Sequence, residues 1–353
     1  MWAQMAEIKL KKVTDYPALL QDTWQQHLAP KANNAPTVIS TFAGCGGSSL
    51  GYSMAGFREL LAVEWDDNAI ATFKLNFPDV PVYHGDIAKL SVEEVLGITG
   101  LQVGQLDVFD GSPPCQGFST AGKRDFTDDR NQLFREYVRL LRGLKPKVLV
   151  MENVSGMVKG KMKLIFAEIL RELKASGYKV SARILNAMYF NVPQSRERMI
   201  FIGVREDLGV TPMHPVAESG MIPVRDAFLH CRVSDIPRLS PGLEAIVSKI
   251  PAWGDGGDVT GGNYFGTKRL DWNKPSRSII KEMTGTRTAL IHPSEHRAVT
   301  LTEAMRLGSW PDEYCFVGDY KNGMTRIGNS VPPLLMRSIA TCIRDKILLP
   351  YEQ

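Results

Sequence analysis

The chain contains no CxxC pair, and its five cysteines are an odd number scattered without metal-like spacing. That argues against a disulfide framework and against a zinc site. No apolar run approaches the roughly 18–20 residues that a membrane span needs. The amino end, MWAQMAEIKLKK, lacks the apolar core of a secretory signal, so a cytoplasmic location is expected. Charge of neither sign dominates: the formal net charge is +4 and the pI is near 8.7. Dedicated nucleic-acid modules are usually more basic, so this balance permits a polyanionic partner without demanding one. Internal repeats and long disorder-prone stretches are lacking too. What remains is an ordinary globular composition, 44% hydrophobic and 23% charged, in 353 residues, long enough for one large domain and a smaller one.

Residues 1–36 read as a leader with a short helix, ending in the turn-forming LAPKANNAP. From Thr37 strand and helix signals alternate. TVISTF, LLAVEW, VYHGD, LDVFDGS, VLVMENV and RMIFIGVR read as strands, and RNQLFREYVRLLRGL and KLIFAEILRELKASG as helices between them. That alternation predicts an α/β fold with a doubly wound, mostly parallel sheet over 37–205. Residues 206–296 are rich in Pro and Gly and predict a smaller, irregular domain. Helical patterning resumes at 297–353, where LLMRSIATCIRDKIL should pack back on the first domain.

In such a sheet ligands bind beyond the carboxyl ends of the strands. Three consecutive strand ends carry suitable chemistry. The first holds the loop Phe42-Ala43-Gly44-Cys45-Gly46-Gly47, which lacks the spacing of a phosphate-binding P-loop. The second ends in Glu64-Trp65, a carboxylate suited to ribose hydroxyls beside a ring suited to adenine. The third ends in Gly85-Asp86-Ile87, where Asp86 can accept from an adenine amino group. Each is common alone; together they predict a nucleoside site, for which an NAD-type cofactor remains an alternative.

The fourth strand runs into Gly111-Ser112-Pro113-Pro114-Cys115-Gln116-Gly117-Phe118-Ser119. Two prolines stiffen the backbone ahead of Cys115, a presentation that a nucleophile needs and a buried structural cysteine does not. The next strand brings Glu152-Asn153-Val154 to the same rim. Farther on, Arg196 and Arg198 of Gln194-Ser195-Arg196-Glu197-Arg198 alternate onto one face, where they would favour a thiolate.

With FAGCGG at 42–47, EW at 64–65, GDI at 85–87, GSPPCQGFS at 111–119, ENV at 152–154, QSRER at 194–198 and GNSVPP at 328–333, in that order, the chain resembles the cytosine-5 DNA methyltransferases from about Val38 to Arg344. The resemblance implies a Rossmann-like methyltransferase fold with a target-recognition domain, S-adenosylmethionine as cofactor and a cytosine flipped out of duplex DNA as substrate. It implies that Cys115 adds to cytosine carbon 6, that Glu152 holds the N3 edge, and that Arg196 and Arg198 anchor the base oxygen and backbone or orient the carboxylate and thiolate. Cofactor contacts are implied for Phe42, Gly44, Gly46, Glu64, Trp65, Asp86, Ile87, Pro114, Leu133, Asn329 and Val331, and DNA contacts for Gln116 and Ser119. A cognate restriction endonuclease is a compatible partner, and a monomer is expected. Three departures stand out: Ser40-Thr41 before the glycine loop, Gly308-Ser309-Trp310 in the segment 297–314, and Arg326 where a Gln usually precedes GNS.

The glycine-dense stretch 254–266 leads into Lys268-Arg269 and reads as a loop entering the major groove, with Thr260, Asn263, Lys268 and Arg269 meeting DNA; a solvated surface loop would have the same composition. Alternatives for the whole chain are a transfer-RNA cytosine-5 methyltransferase of the same fold, whose usual Cys-Phe-Thr segment is missing, a non-catalytic DNA-binding regulator, and an NAD-type oxidoreductase. Metal ligands are not expected.

Overall fold

The computed structural model describes residues 10, 12–114, 132–160, 162–233 and 236–351. After α1 (Tyr16–Leu28) the chain alternates: β1 (Thr37–Thr41), α2 (Gly47–Met54), β2 (Arg58–Glu64), α3 (Asp67–Asn76), β3 (Val82–His84), α4 (Val92–Thr99), β4 (Val108–Gly111), α5 (Gln132–Leu144), β5 (Val148–Val154), α6 (Met162–Ala175), β6 (Tyr178–Asn186), β7 (Gln194–Ser195) and β8 (Glu197–Arg205). Seven of these strands form one sheet in the order β3-β2-β1-β4-β5-β8-β6. All pairs are parallel except those that β8 makes with β5 and β6. The expected mostly parallel, doubly wound sheet is present. The strand order reverses between β1 and β4, so the crevice for a ligand opens at their carboxyl ends.

Alternate residues of the central strands feed two cores. Val38, Val108, Val148 and Ile202 face one layer, and Ile39, Phe109, Leu149 and Phe201 face the other. Period-2 side-chain alternation with both faces covered explains why these strands read as unbroken apolar runs. The helix α1, expected only as part of a leader, belongs to the first layer. Tyr16 and Leu20 are buried, and the Tyr16 hydroxyl donates to the Arg306 carbonyl at 2.8 Å. Two elements escaped the sequence reading, α4 and the edge strand β6. The exposed charges Lys179 and Arg183 break up β6's apolar pattern.

Beyond β8 the regular elements are short: α7 (Val224–Ala227), α8 (Pro241–Val247), α9 (Gly256–Thr260), β9 (Lys268–Arg269), β10 (Ser276–Arg277) and β11 (Leu290–Ile291). The stretch read as a loop at 254–266 thus contains one turn of helix, capped by Asp255, whose side chain accepts from Gly257 N. Finally α10 (Leu301–Leu307), α11 (Tyr320–Asn329) and α12 (Pro333–Ile343) return to the sheet, with α12 packed on α2. No helix among the described residues is long and apolar enough to cross a membrane.

Candidate active site

The site grows from the ends of β1, β2, β3, β4 and β5. At the end of β1, Phe42 adopts a left-handed conformation (φ 55°), which turns the chain sharply into the glycine loop; such a geometry costs a non-glycine residue free energy and is concentrated at ligand sites. The Glu64 carboxylate then organises the loop. One oxygen accepts from Gly44 N at 2.8 Å, the other from Trp65 N and Asp66 N at 2.8 and 3.0 Å. Phe42, Val63, Glu64, Trp65, Gly85, Asp86, Ile87, Pro114 and Leu133 line one groove. Seven of the expected cofactor residues meet there, joined by Val63 and Gly85. The indole of Trp65 stands 72% exposed at its edge. Asp86 caps the turn that follows it by accepting from Ala88 N at 2.9 Å.

Gly46 and the carboxyl-terminal motif lie behind this groove. A Cβ on Gly46 would come within 2.7 Å of the Phe77 ring, so its role is close packing. Val331 is buried, and Asn329 is exposed at the end of α11. Neither Gly46, Asn329 nor Val331 lines the groove. The family departure Arg326 has a definite place here: it forms a two-pronged ion pair with Asp66, both contacts at 3.1 Å. Asp66 is the N-cap of α3. Partial burial alone would raise the Asp66 carboxyl, but Ala69 N and the Arg326 guanidinium outweigh it and hold the pKa below the usual value.

On the other side of β4, Gly111 admits no side chain: a Cβ would lie 2.4 Å from Thr41 Oγ1 and 2.7 Å from the Tyr137 ring. Tyr137 donates to the carbonyls of both Phe109 and Val150, tying α5 to the sheet beneath the motif. Asn153, not singled out from sequence, donates through Nδ2 to the Pro113 carbonyl at 3.1 Å. That bond fixes the proline pair against the end of β5. Cys115, Gln116 and Ser119 lie outside the described residues. Glu152 projects beside Asn153 and pairs with Arg198, Nε to Oε1 at 2.6 Å, both side chains largely buried.

Arg196 corrects the expectation that the two arginines share a task. It is buried, and its terminal nitrogens donate to the carbonyls of Ile279 at 2.6 Å, Gly328 at 2.8 Å and Ser330 at 3.0 Å. Burial, with Arg198 nearby, lowers its pKa to about 9, and Glu152 opposes the shift. Committed in this way, its terminal nitrogens clasp two chain segments, at Ile279 and at Gly328–Ser330. Arg198, not Arg196, pairs with the Glu152 carboxylate.

Beneath the motif sits a buried acidic cluster. Asp110 on β4 accepts from the Tyr52 hydroxyl at 3.3 Å, and Glu59 on β2 accepts from Ser49 at 2.9 Å while its second oxygen is buried without a partner. Burial pushes the Glu59 carboxyl up to about 7 against the Ser40 and Ser49 hydroxyls. Burial and the Glu59 charge push Asp110 well up.

Of the four expected recognition residues, three have side chains engaged within the fold. Arg269 is buried, its guanidinium bonded to the carbonyls of Val247, Ile250, His292 and Glu295, and it cannot reach a phosphate. Lys268 is ion-paired with Asp255 and mostly covered. Thr260 turns inward to the Gly256 carbonyl, and Asn263 is exposed. No group of three or more potential metal ligands occurs among the described residues.

The profile of the C-5 cytosine-specific DNA methylases matches residues 36–345. The chain is 35% identical over 332 residues to the Type II methyltransferase M1.HphI of Haemophilus parahaemolyticus, covering 87% of this chain and 86% of that one. It is 31% identical to M.PspPI of Psychrobacter sp. (strain TA137), covering 95% and 85%. A solved protein described as a DNA modification methyltransferase encoded within an E. coli prophage superposes with a TM-score of 0.70 at 26% identity, over 89% of this chain and all of that one. Spodoptera frugiperda DNMT2, at 17% identity and a TM-score of 0.67 over 88% of this chain and all of that one, shares the fold.

Proposed function

The chain belongs to the C-5 cytosine-specific DNA methylase family and is a DNA cytosine-5 methyltransferase; from that premise we propose how its own residues carry the reaction. Residues 37–205 hold cofactor and chemistry, 206–296 read the target, and 297–353 complete the first part. Phe42, Trp65, Ile87, Pro114 and Leu133 offer an apolar lining, with Glu64 and Asp86 as acceptors for hydroxyl and amino groups. S-adenosylmethionine fits that donor-and-apolar set, and it supplies the methyl group from its sulfonium and departs as S-adenosylhomocysteine.

Glu152, held by Arg198, binds the N3 and amino edge of a cytosine extruded from the duplex, and its proton or hydrogen bond at N3 makes carbon 6 electrophilic. The Cys115 thiolate forms a bond to carbon 6, so carbon 5 gains electron density and takes the methyl group. A base then removes the carbon-5 proton, and the bond from Cys115 to carbon 6 breaks to restore the ring and the thiolate. The observation that carries this reading is the Glu152–Arg198 pair beside the Asn153-held prolines, one residue before Cys115. The family resemblance of the relatives to Type II enzymes supports a cognate nuclease as partner.

The test is the Cys115→Ser variant. A hydroxyl is a far weaker nucleophile than a thiolate at neutral pH, so methylation of duplex DNA should fall below about 1% of wild type. Cofactor affinity and the thermal midpoint should stay unchanged. Bisulfite sequencing of DNA from expressing cells reads both activity and target site; retained activity in the Ser variant overturns the role of Cys115.

A further inference from the structure

Phe265 is the most exposed large hydrophobic side chain among the described residues, at 77%. Leaving a phenyl in water forfeits the gain from burying it, and a flexible loop would fold it down. The turn that carries it is not free to do so. Gly261, Gly262, Tyr264 and Gly266 all sit at positive φ. Gly262 N donates to Gly257 O at 2.9 Å, Thr267 N to Tyr264 O at 3.0 Å and Gly256 N to Thr267 O at 2.9 Å. One face of the ring is covered by the Lys268 ammonium, 4.9 Å from the centroid, and Lys268 is itself fixed by Asp255. The ring is therefore held outward with a free face.

The same part of the chain carries a second aromatic-cation group. Trp253 lies within 4.7 Å of Lys274 Nζ and 4.3 Å of the Arg277 guanidinium carbon. Arg277 also donates to the Trp253 carbonyl at 2.6 Å. Arg277 pairs in register with Ser195 of β7, three residues before Arg198. Between 270 and 287 Lys274, Lys281 and Arg287 are exposed and Arg277 half-buried, against Asp271 and Glu282. Aromatic faces among cations are the chemistry that grips unstacked bases and their phosphates.

Resting on the assignment of 206–296 as the DNA-reading part, we propose that Phe265 stacks its open face on a DNA base unstacked when the target cytosine leaves the helix. The ring replaces part of the stacking that the flipped base gave up, and so favours the extruded state over the closed duplex.

The experiment measures duplex binding and single-turnover methylation at the mapped site for wild type and for Phe265→Ala, Phe265→Leu and Phe265→Trp. Loss of one base-aromatic stack should weaken binding and methylation roughly 5- to 100-fold in both Ala and Leu variants, while Trp stays near wild type. Cofactor affinity and the urea midpoint should not move, since the ring packs in no core. A Leu variant as active as wild type overturns stacking, because bulk without a π-face would then suffice. So does a thymine-methyl contact, seen as an equal loss for wild type on uracil-substituted DNA to which the Ala variant is indifferent. A wild type that methylates no duplex DNA sinks the underlying reading as well; a wild type that does, with an unaffected Ala variant, sinks the role of Phe265 alone.

Discussion

The sheet and the irregular stretch 206–296 solve the same problem in different ways. In the sheet each buried carbonyl has a partner in the neighbouring strand, which leaves side chains at strand ends free for chemistry. Glu64, Glu152 and Arg198 are of that kind. In the irregular stretch no ladder runs long enough, and buried carbonyls must find donors elsewhere. Arginines provide them. Arg269 serves four carbonyls. Arg306 serves those of Ala227, Leu229 and His230 while paired with Asp312, and Arg196 bonds carbonyls on both sides of the junction. A basic residue in the part proposed to read DNA can therefore belong to the fold's hydrogen bonding instead of its binding chemistry.

The sharpest way to break this contrast is Arg269→Leu. It leaves several buried carbonyls without donors, so urea unfolding should show a loss on the order of 3 kcal/mol or more. A variant of normal stability with weakened DNA binding would return Arg269 to the interface. On the sheet side, Arg198→Ala should lower kcat on the order of 100-fold, because Glu152 loses the partner that fixes its geometry, and should also cost stability by leaving the Glu152 charge unpaired; an unchanged kcat would remove Arg198 from the site. Glu64→Ala should weaken cofactor binding by roughly 1–3 kcal/mol, read by isothermal titration, through lost charged hydrogen bonds and a loosened Gly44 loop.

A smaller effect concerns pH. Burial raises the pKa of Glu59 to about 7. A raised acid contributes its stability fully below the unfolded value near 4.5 and loses it as pH rises through about 7. Wild type should therefore lose stability across that window, and Glu59→Gln should show a shallower slope in denaturant midpoints against pH. The smallest expected change is Lys274→Ala, an exposed cation over Trp253. It should reduce the salt dependence of DNA binding by about one unit, whereas Lys268→Ala, its charge already matched by Asp255, should leave it unaltered.

This contrast also explains what the sequence made legible. Strand-end motifs such as Glu64-Trp65 and Gly85-Asp86-Ile87 were readable because a parallel sheet places all its carboxyl ends on one rim. The edge strand β6 was not, because its one open side tolerates Lys179 and Arg183 and erases the apolar run. Alternation alone would put Arg196 and Arg198 on one strand face, whereas Arg196 sits between β7 and β8, and nothing in their spacing says which one meets carbonyls supplied from residues 279 and 328. Arg269 was misread for the same reason. Asn153 was visible as part of a motif, but its task, holding Pro113, depends on the pairing of β4 with β5.

The packing of α12 on α2 sets a clock on the enzyme's birth. Met336 and Pro333 lie against Gly51, and Cys45 of the glycine loop touches Ser330 from a position 285 residues distant in the chain. Ribosomes add about 5–20 residues per second, so roughly 15–60 s separate the synthesis of these two halves of one hydrophobic seam. Until the later half emerges, α2 offers its apolar side to chaperones or to other nascent chains. The groove proposed for the cofactor gains its rear wall only at the end of that wait, so on that reading a half-made chain has no means of marking DNA.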